Sequence, residues 1–346
     1  MDTFSGKTVL VTGASGLIGS HIVDAFMAMG DVRVIALGRS EEKLRALFAA
    51  YLPRPEFSLL VRDAAAPLPR EAGPVSYIFH AAGPTEGRII AGRPLDVIAP
   101  NLLGTRNCLD FLRLQEETAG LRGRLVLFSS VTVYANPTGA DLTVREEDTG
   151  AAEPLESWRA PYSHSKRMAE VIAGAYQTQY HTDTVIARLS TVYGDTVFPA
   201  DSAFFEFLRK SAAGEDLLLK DSGGPRRDNI YIQDAVAGLL CICRAGLSGQ
   251  AYNISSNGEL GNFAAVDEIA RAFAQAAGRR GQQICVRFEN GPSETRKPGL
   301  LLDNGKLKSL GWRLETSLTQ GIGEALASWC GRNGPSAGRV MKEDGI

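Results

Sequence analysis

Short apolar segments alternate with longer amphipathic segments along the first half of the chain. The apolar segments are rich in aliphatic residues without polar alternation, which is typical of strands buried on both faces. The segments between them carry apolar residues at helical spacing. Strands that alternate with helices predict a parallel sheet covered by helices on both faces. The predicted strands are Thr8–Thr12, Val32–Leu37, Phe57–Val61, Val75–His80, Arg124–Ser129 and Thr184–Arg188. The predicted helices are Leu17–Met29, Ser40–Tyr51, Asn101–Leu114 and Tyr162–Thr178.

A glycine-rich turn joins the first predicted strand to the first predicted helix, at Thr12–Gly19. In such a turn, backbone N–H groups and the positive end of the helix face a pyrophosphate. Gly13 permits the turn, Gly16 lets phosphate approach the backbone, and Gly19 lets the helix pack on the strand. Because the turn follows an apolar strand and precedes an amphipathic helix, it indicates dinucleotide binding. The candidate cofactor-binding residues of the turn are Gly13, Ser15, Gly16, Leu17, Ile18 and Gly19.

The fold predicted from these features is α/β: a Rossmann-type doubly wound parallel sheet with a smaller C-terminal substrate-binding lobe. Beyond residue 190 the strands become sparse and loops more frequent, and 346 residues suit one large domain plus a smaller lobe. Residues 1–190 form the predicted NAD(P)-binding domain, and 228–255 return to it. The predicted lobe is 191–227 and 256–330, followed by a flexible tail at 331–346.

The ends of the next three strands supply further candidates for the cofactor. A carboxylate at the end of the second strand normally holds the adenosine ribose of NAD, whereas an arginine nearby suits the extra phosphate of NADP. This strand ends in Leu37-Gly38-Arg39-Ser40, so Arg39 and Ser40 favour NADP. Arg39 could instead cap a solvated surface or stack on adenine. The remaining candidates are Asp63, Ala64, Ala81 and Ala82.

Tyr162 and Lys166 lie four residues apart on a predicted helix, so they share one helix face. An ammonium beside a phenol favours the phenolate, so we expect the pKa of Tyr162 to fall below its usual value of about 10. Tyr162 can then act as a general base on a hydroxyl while hydride leaves the same carbon for a nicotinamide. The alternative is an ordinary surface pair, which Ser130 upstream and the glycine turn disfavour.

Three segments occur in order: Phe128–Tyr134, Pro161–Lys166 and Arg188–Gly194. Together they resemble the extended short-chain dehydrogenase/reductases, and more narrowly the NAD(P)-dependent epimerase/dehydratase branch that acts on nucleotide sugars. The resemblance runs from about residue 7 to about residue 329. It implies that Ser130 hydrogen-bonds the reacting oxygen and that Lys166 also holds the nicotinamide ribose. It further implies a homodimer built from the helices at 101–114 and 162–178.

The chain also departs from this family. In its 4,6-dehydratase members, an Asp-Glu or Ser-Glu pair follows the residue aligned with Ser130. Here Val131 and Thr132 follow, and neither can act as acid or base near neutral pH, so 4,6-dehydration is disfavoured. Thr191 replaces an Asn that touches the nucleotide diphosphate in many relatives. Arginines suit phosphate because their planar fork binds two oxygens. The predicted substrate-binding residues are Thr132, Thr191, Arg227 and Arg296.

Charge and composition exclude several other classes. The net charge of −2 offers no basic footprint for nucleic acid or an anionic membrane. No apolar run is long enough to span a bilayer, and the N-terminal residues lack the pattern of a secretory signal. The 5 cysteines are scattered without metal-ligand spacing. We therefore expect a cytoplasmic protein without a metal site.

The preferred interpretation is an NAD(P)-dependent epimerase that acts on a nucleotide sugar through a transient ketone. A ketosugar reductase using NADPH, or an unusual sugar dehydratase, would require the same residues, so these alternatives stay open. A non-catalytic regulator that senses the cofactor is a further possibility on this fold. The intact Ser130, Tyr162 and Lys166 argue against it.

The Arg39 hypothesis predicts that Arg39→Ala weakens NADP binding more than NAD binding. If the guanidinium pairs with the extra phosphate, its removal should cost at least about tenfold in NADP affinity. Isothermal titration of both cofactors against the variant checks this. Equal losses for the two cofactors, or no loss, would exclude the phosphate role.

Overall fold

The strands and helices of the computed structural model follow the predicted alternation. It describes residues 4–134, 139–148, 150, 152–199, 202–220, 224–291 and 297–333. The strands are β1 (Lys7–Thr12), β2 (Val32–Gly38), β3 (Phe57–Val61), β4 (Tyr77–His80), β5 (Arg124–Ser130), β6 (Leu142–Val144), β7 (Asp183–Leu189), β8 (Thr191–Tyr193), β9 (Leu217–Leu219), β10 (Arg227–Tyr231), β11 (Ala251–Ile254), β12 (Phe263–Ala264), β13 (Val286–Phe288) and β14 (Leu300–Leu302). The helices are α1 (Leu17–Met29), α2 (Glu41–Leu47), α3 (Gly87–Gly92), α4 (Leu95–Ala99), α5 (Thr105–Ala119), α6 (Ala160–Tyr180), α7 (Ala203–Ala213), α8 (Ile232–Ala245), α9 (Val266–Gly278), α10 (Gly305–Lys308) and α11 (Leu318–Asn333).

Seven strands form the larger sheet, in the order β3-β2-β1-β4-β5-β7-β11. Every neighbouring pair is parallel, so the carboxyl ends of all these strands lie along one edge. The strand order reverses direction between β1 and β4, which creates the crevice where ligands bind in open α/β sheets. The predicted doubly wound α/β fold is confirmed.

Successive residues of β1 enter two different apolar cores. Val9 and Val11 pack into the core that contains α1 and α8, whereas Leu10 packs into the core that contains α5 and α6. This follows from the two-residue period of a strand, whose side chains point alternately to opposite faces. Helices on both faces explain why the strand sequences are apolar throughout rather than alternating.

The lobe is built around a smaller sheet, β12-β10-β14-β6, with β8 paired to β10. Helices α7, α9 and α11 pack together beside it. Of the predicted returning segment, β11 joins the larger sheet and α8 packs on α1, whereas β10 belongs to the lobe sheet. Helix α11 continues to Asn333, so the first residues of the predicted tail are helical, and 334–346 lie outside the described residues.

A π-helical turn at Pro100–Gly104 precedes α5, where the sequence predicts a regular helix from Asn101. Pro100 has no N–H to donate within a helix. A Cβ on Gly104 would lie 2.7 Å from Cε1 of the His80 ring, so this turn packs directly against the end of β4. None of the helices in the described part of the chain is both long and apolar enough to cross a membrane.

The packing of the lobe core can be tested at Phe273, a residue of α9. Its side chain is 0% exposed where α7, α9 and α11 pack together. Phe273→Ala should lower the free energy of unfolding by about 3–5 kcal/mol, since it removes apolar contacts and leaves a cavity. Urea denaturation measures this loss. Leu247→Ala, at a side chain that is 69% exposed, is the control. A loss as small as that of the control would contradict this packing.

Candidate active site

Ser130, Tyr162 and Lys166 come together at the carboxyl edge of the larger sheet. Ser130 ends β5, and Tyr162 and Lys166 lie in the first two turns of α6. The Tyr162 hydroxyl is hydrogen-bonded to the Ser130 side chain. Lys166 Nζ donates to the Phe128 carbonyl at 2.7 Å and lies 5.8 Å from the centroid of the Tyr162 ring. The structure therefore assembles the predicted catalytic constellation.

The electrostatics of Tyr162 differ from the expectation. Burial raises the pKa of Tyr162, and only the hydrogen bond from Ser130 acts in the opposite direction. The Lys166 ammonium is directed at the Phe128 carbonyl rather than at the phenol oxygen, which explains why the expected lowering is absent. Burial also lowers the pKa of Lys166 to about 8, against the opposing charge of Glu170. The expected low pKa of Tyr162 is wrong for this arrangement of the protein's own residues.

Asn101 is a site residue that the sequence reasoning missed. It is 2% exposed, and its Nδ2 donates to the Ser165 hydroxyl at 2.8 Å. Its Oδ1 has no hydrogen-bond partner among the described residues. A Cβ on Gly83 would lie 2.7 Å from this oxygen and 3.9 Å from Lys166 Nζ. The available signal was its place as a polar residue within an apolar run, Val97–Leu103.

His80 is a buried structural residue, as its place at the end of an apolar strand suggests. The Ala82 N–H donates to Thr12 Oγ1 at 3.2 Å, and Thr12 Oγ1 is 2.8 Å from His80 Nδ1. His80 Nε2 lies 3.1 Å from the Pro100 carbonyl, so Nε2 carries the proton. Burial lowers the pKa of His80 to about 4, so the ring is neutral. It fixes the ends of β1 and β4 and the turn that carries Asn101.

The glycine turn fits a dinucleotide. Gly13 has a φ of +65°, and a Cβ there would lie 2.8 Å from the Ala82 backbone. A Cβ on Gly19 would lie 2.3 Å from the Gly13 carbonyl oxygen, so this packing excludes a side chain. Gly16 is the N-cap residue of α1 and has no side chain to cap the helix, and the first turn has no acidic residue. The helix N-terminus is therefore available to an anion. Half-buried residues flank it at Ser15, Leu17 and Ile18.

The other predicted cofactor residues lie at the ends of β2, β3 and β4. Arg39 is exposed after β2, and Ser40 caps α2 by accepting from the Lys43 N–H at 3.3 Å. Asp63 is exposed after β3 and accepts from the Ala65 N–H at 2.8 Å. The other three predicted positions are buried Ala64 and half-buried Ala81 and Ala82. All six lie on the carboxyl edge beside the glycine turn.

Thr132 follows the end of β5, and Thr191 begins β8, which pairs with β10 of the lobe sheet. The Thr132 N–H donates to Ser130 Oγ at 3.2 Å, which places the Thr132 backbone next to the Ser130 hydroxyl. Thr132 Oγ1 is buried and has no partner among the described residues. Thr191 is half-buried at the start of β8 and lies opposite Asn229 of β10.

Arg227 is the first residue of β10. Its charge is affected by Arg159, a residue that the sequence did not identify. Loss of hydration beside the surrounding protein lowers the pKa of Arg227, and the positive charge of Arg159 acts in the same direction. Arg159 immediately precedes α6, and its guanidinium stacks on Trp158 at 5.1 Å. Within the described ranges, no carboxylate forms an ion pair with either arginine. Arg296 falls outside the described residues.

A separate cleft of about 510 Å³ contains none of the predicted site residues. Several of its polar groups bind one another: Asp195 accepts from Ser328 at 2.6 Å and pairs with Arg332. Glu324 accepts from Tyr231. We regard this cleft as a junction between α1 and α11 rather than as the reaction site. It is lined by His21, Asp24, Ala25, Asp195, Tyr231, Gln233, Glu324, Ser328 and Arg332.

Comparisons with known proteins agree with this geometry. The family model described as NAD dependent epimerase/dehydratase family matches residues 9–255. UDP-glucuronic acid decarboxylase 6 of Arabidopsis thaliana is 29% identical over 322 residues, which cover 92% of this chain and 87% of the relative.

Two solved structures illustrate the similarity of fold. DesIV, a dTDP-glucose 4,6-dehydratase from Streptomyces venezuelae with NAD and TYD bound, is 26% identical with a TM-score of 0.74, covering 94% of this chain and 97% of that one. UDP-glucose 4-epimerase from Thermotoga maritima, with UDP-glucose, is 20% identical with a TM-score of 0.74, covering 93% and 98%. The second likeness shows the fold alone.

Gly16→Ala should separate cofactor binding from folding. A Cβ there meets only the Gly13 carbonyl oxygen, at 3.3 Å, and the residue has an ordinary extended backbone. The free energy of unfolding should therefore change by less than about 1 kcal/mol. NAD(P) affinity should fall by at least about tenfold, because the methyl group would occupy the phosphate approach.

Urea denaturation and isothermal titration calorimetry measure the two effects. Gly174→Ala is the matched control, since a Cβ there meets nothing within 4 Å. Unchanged cofactor affinity in Gly16→Ala would rule out this turn as the pyrophosphate site.

Proposed function

Because the chain belongs to the NAD dependent epimerase/dehydratase family and has the extended short-chain dehydrogenase/reductase fold, we propose that it is a nucleotide-sugar epimerase. One observation carries this proposal. The assembled Ser130, Tyr162 and Lys166 are accompanied by Val131 and Thr132, which supply no acid or base for eliminating water. Oxidation followed by reduction at the same carbon is the simplest chemistry that needs only the residues present.

In this proposal, Tyr162 takes the proton of the sugar hydroxyl as its phenolate and later returns it. The positive charges of Lys166 and of a bound oxidised nicotinamide would oppose the burial that raises the pKa of Tyr162. Ser130 donates a hydrogen bond to the same oxygen, which fixes its position during both steps. Lys166 carries a positive charge beside the phenol and also binds the ribose of the cofactor. The keto sugar then turns within the pocket, so that its other face is reduced. Thr132, beside Ser130, holds the sugar through its unpartnered hydroxyl.

The cofactor is an NAD(P) held by the glycine turn, and when bound it accepts hydride from the sugar carbon and gives it back. Relatives in this family use NAD, and the dehydratase DesIV was solved with NAD. For this chain we propose NADP, because the end of β2 offers exposed Arg39 where an acidic residue would hold the ribose of NAD. The bound cofactor should remain with the protein, since epimerisation consumes none.

The substrate is a nucleotide-activated sugar whose diphosphate lies at Arg227. Its guanidinium has no carboxylate partner within the described ranges, and Arg159 is close enough to lower its pKa. Two neighbouring positive charges of this kind suit a group with several anionic oxygens. Thr191 and Arg296 are the further substrate contacts in this proposal.

We also propose a cytoplasmic homodimer in which α5 and α6 of two copies pack together. The apolar side chains of Leu103, Met168 and Val171 are 49%, 48% and 61% exposed on this part of the surface. An apolar patch of this kind is typical of a surface that another protein covers.

A ketosugar reductase is the second candidate, and Arg39 favours it because reductases commonly use NADPH. The two functions differ in whether the cofactor is consumed. To distinguish them, the purified protein is denatured, the released nucleotides are identified by mass spectrometry, and nucleotide sugars are screened with and without added cofactor. Retained NAD(P)+ with isomerisation in the absence of added cofactor supports the epimerase. Stoichiometric NADPH consumption on a ketosugar contradicts it.

Tyr162→Phe should lower kcat by about a thousandfold, because it removes the group that exchanges the hydroxyl proton. Binding of NAD(P) and of the nucleotide sugar should change by less than about threefold, since the ring remains in place. Steady-state kinetics and calorimetry measure both quantities. Wild-type turnover in the variant would exclude Tyr162 as the group that exchanges the proton. Biological activity retained without turnover would instead support the non-catalytic regulator.

A further inference from the structure

Glu170 joins the helix of the proposed catalytic pair to the sheet beneath it. It lies one turn beyond Lys166 on α6 and accepts a hydrogen bond from the hydroxyl of Ser129, the residue before Ser130. Two guanidinium N–H groups of Arg188, on β7, donate to its carboxylate at 2.8 and 3.0 Å. The side chains of this ion pair are only 15% and 14% exposed, so solvent screens it little.

The ion pair is part of a polar row that crosses three strands. Ser129, Arg188 and Asn253 are register partners on β5, β7 and β11. The Tyr134 hydroxyl accepts from Arg188 Nη1 at 2.9 Å and donates to Asn253 Oδ1 at 2.7 Å. Arg188 and Tyr134 each bind two other members, so the row links Glu170 to Tyr134 and Asn253 through Arg188.

The same row is in contact with the lobe sheet through Glu146, which follows β6. The Glu146 carbonyl accepts from Arg188 at 2.7 Å, and its carboxylate accepts from the Asn253 N–H at 2.8 Å. Asn253 Nδ2 also donates to the Asp303 carbonyl at 2.9 Å, directly after β14. Since β6 and β14 pair with each other, the row connects α6 with the sheet of the lobe.

The titratable groups that face the Lys166 ammonium come from α6 and β4. Tyr162 and Glu170 face it from its own helix, and His80 faces it from β4. His80 is neutral, because burial lowers its pKa to about 4. Burial lowers the pKa of Lys166 to about 8, and Glu170 opposes that shift. Arg188 partly neutralises Glu170, so the effect of the Glu170 carboxylate on the pKa of Lys166 depends on the ion pair between Glu170 and Arg188.

We propose that Glu170 is a positioning residue for proton transfer at Tyr162: it fixes α6 on the end of β5 through Ser129 and Arg188, and it places a negative charge beside the Lys166 ammonium. The inference rests on the roles proposed above for Tyr162 and Lys166. The helix presents Tyr162, Lys166 and Glu170 at intervals of four residues, so one helix face carries all three. The contacts that fix Glu170 therefore also fix where Tyr162 and Lys166 lie relative to the end of β5.

The test compares Glu170→Gln, which keeps the shape and removes the charge, with Glu170→Asp, which keeps the charge. Lysine labelled with ¹³C at Cε reports the titration of Lys166, and its signal is identified by its absence in Lys166→Met. Without the carboxylate the ammonium loses its proton more easily. The midpoint in Glu170→Gln should therefore fall by at least about half a pH unit, and Glu170→Asp should restore most of it.

The basic limb of the kcat–pH profile should move to lower pH by the same amount, with KM for the nucleotide sugar changed less than about twofold. Glu117→Gln is the matched control, because it breaks an exposed Glu–Arg ion pair with Arg113 on α5, and it should change neither quantity. Ser129→Ala is a second variant that retains the ion pair; it should lower kcat at least about threefold with the midpoint unchanged.

A midpoint that stays at the wild-type value in Glu170→Gln, with only a lower melting temperature, would overturn the proposal and leave Glu170 a purely structural residue. A wild-type kcat in Ser129→Ala would overturn the claim that the contact between Glu170 and Ser129 positions α6 for proton transfer. The ¹³C titration requires no turnover, so it decides whether Glu170 acts on the Lys166 ammonium even if no nucleotide sugar is epimerised. Failure of the proposed function is therefore distinguishable from failure of this inference.

Discussion

The attachment of α6 to the end of β5 is the interaction on which the proposed chemistry depends. Lys166 reaches the Phe128 carbonyl, Tyr162 meets the Ser130 side chain, and Glu170 accepts from Ser129. A helix packed on a strand only through apolar contacts could slide by a fraction of a turn at little cost. Directed hydrogen bonds to consecutive strand residues remove that freedom, and a reacting group misplaced by about 1 Å can lose a hundredfold in rate.

The cofactor crevice depends on a second set of close contacts around β1 and β4. Gly13 lies against the Ala82 backbone, and the Thr12 hydroxyl connects the Ala82 N–H to the buried ring of His80. His80 in turn holds the Pro100 carbonyl, at the start of the turn that carries Asn101. A neutral imidazole suits this place, since a charged ring would be buried beside the Lys166 ammonium.

The sheet, the helices around it and the proximity of the three proposed catalytic residues could be predicted because each follows from a local pattern. Apolar strands indicate the buried parallel sheet, and spacing along one helix places Tyr162 and Lys166 on a shared face. What depends on the packing of distant segments could not be predicted. The proposed role of Arg159 depends on its being close to Arg227 in the fold. The direction of the Lys166 ammonium depends on the Phe128 carbonyl. The high pKa of Tyr162 reflects burial, which no spacing in the sequence reveals.

The central claim is that one carbon is oxidised and reduced again without exchange with water. A nucleotide sugar deuterated at every ring carbon, incubated with the protein in ordinary water and followed by mass spectrometry, tests it most directly. Epimerisation through returned hydride predicts a product that retains all its deuterium while its stereochemistry inverts. An isomerised product that has lost deuterium to solvent, or a product that has lost water or carbon dioxide, would contradict the account.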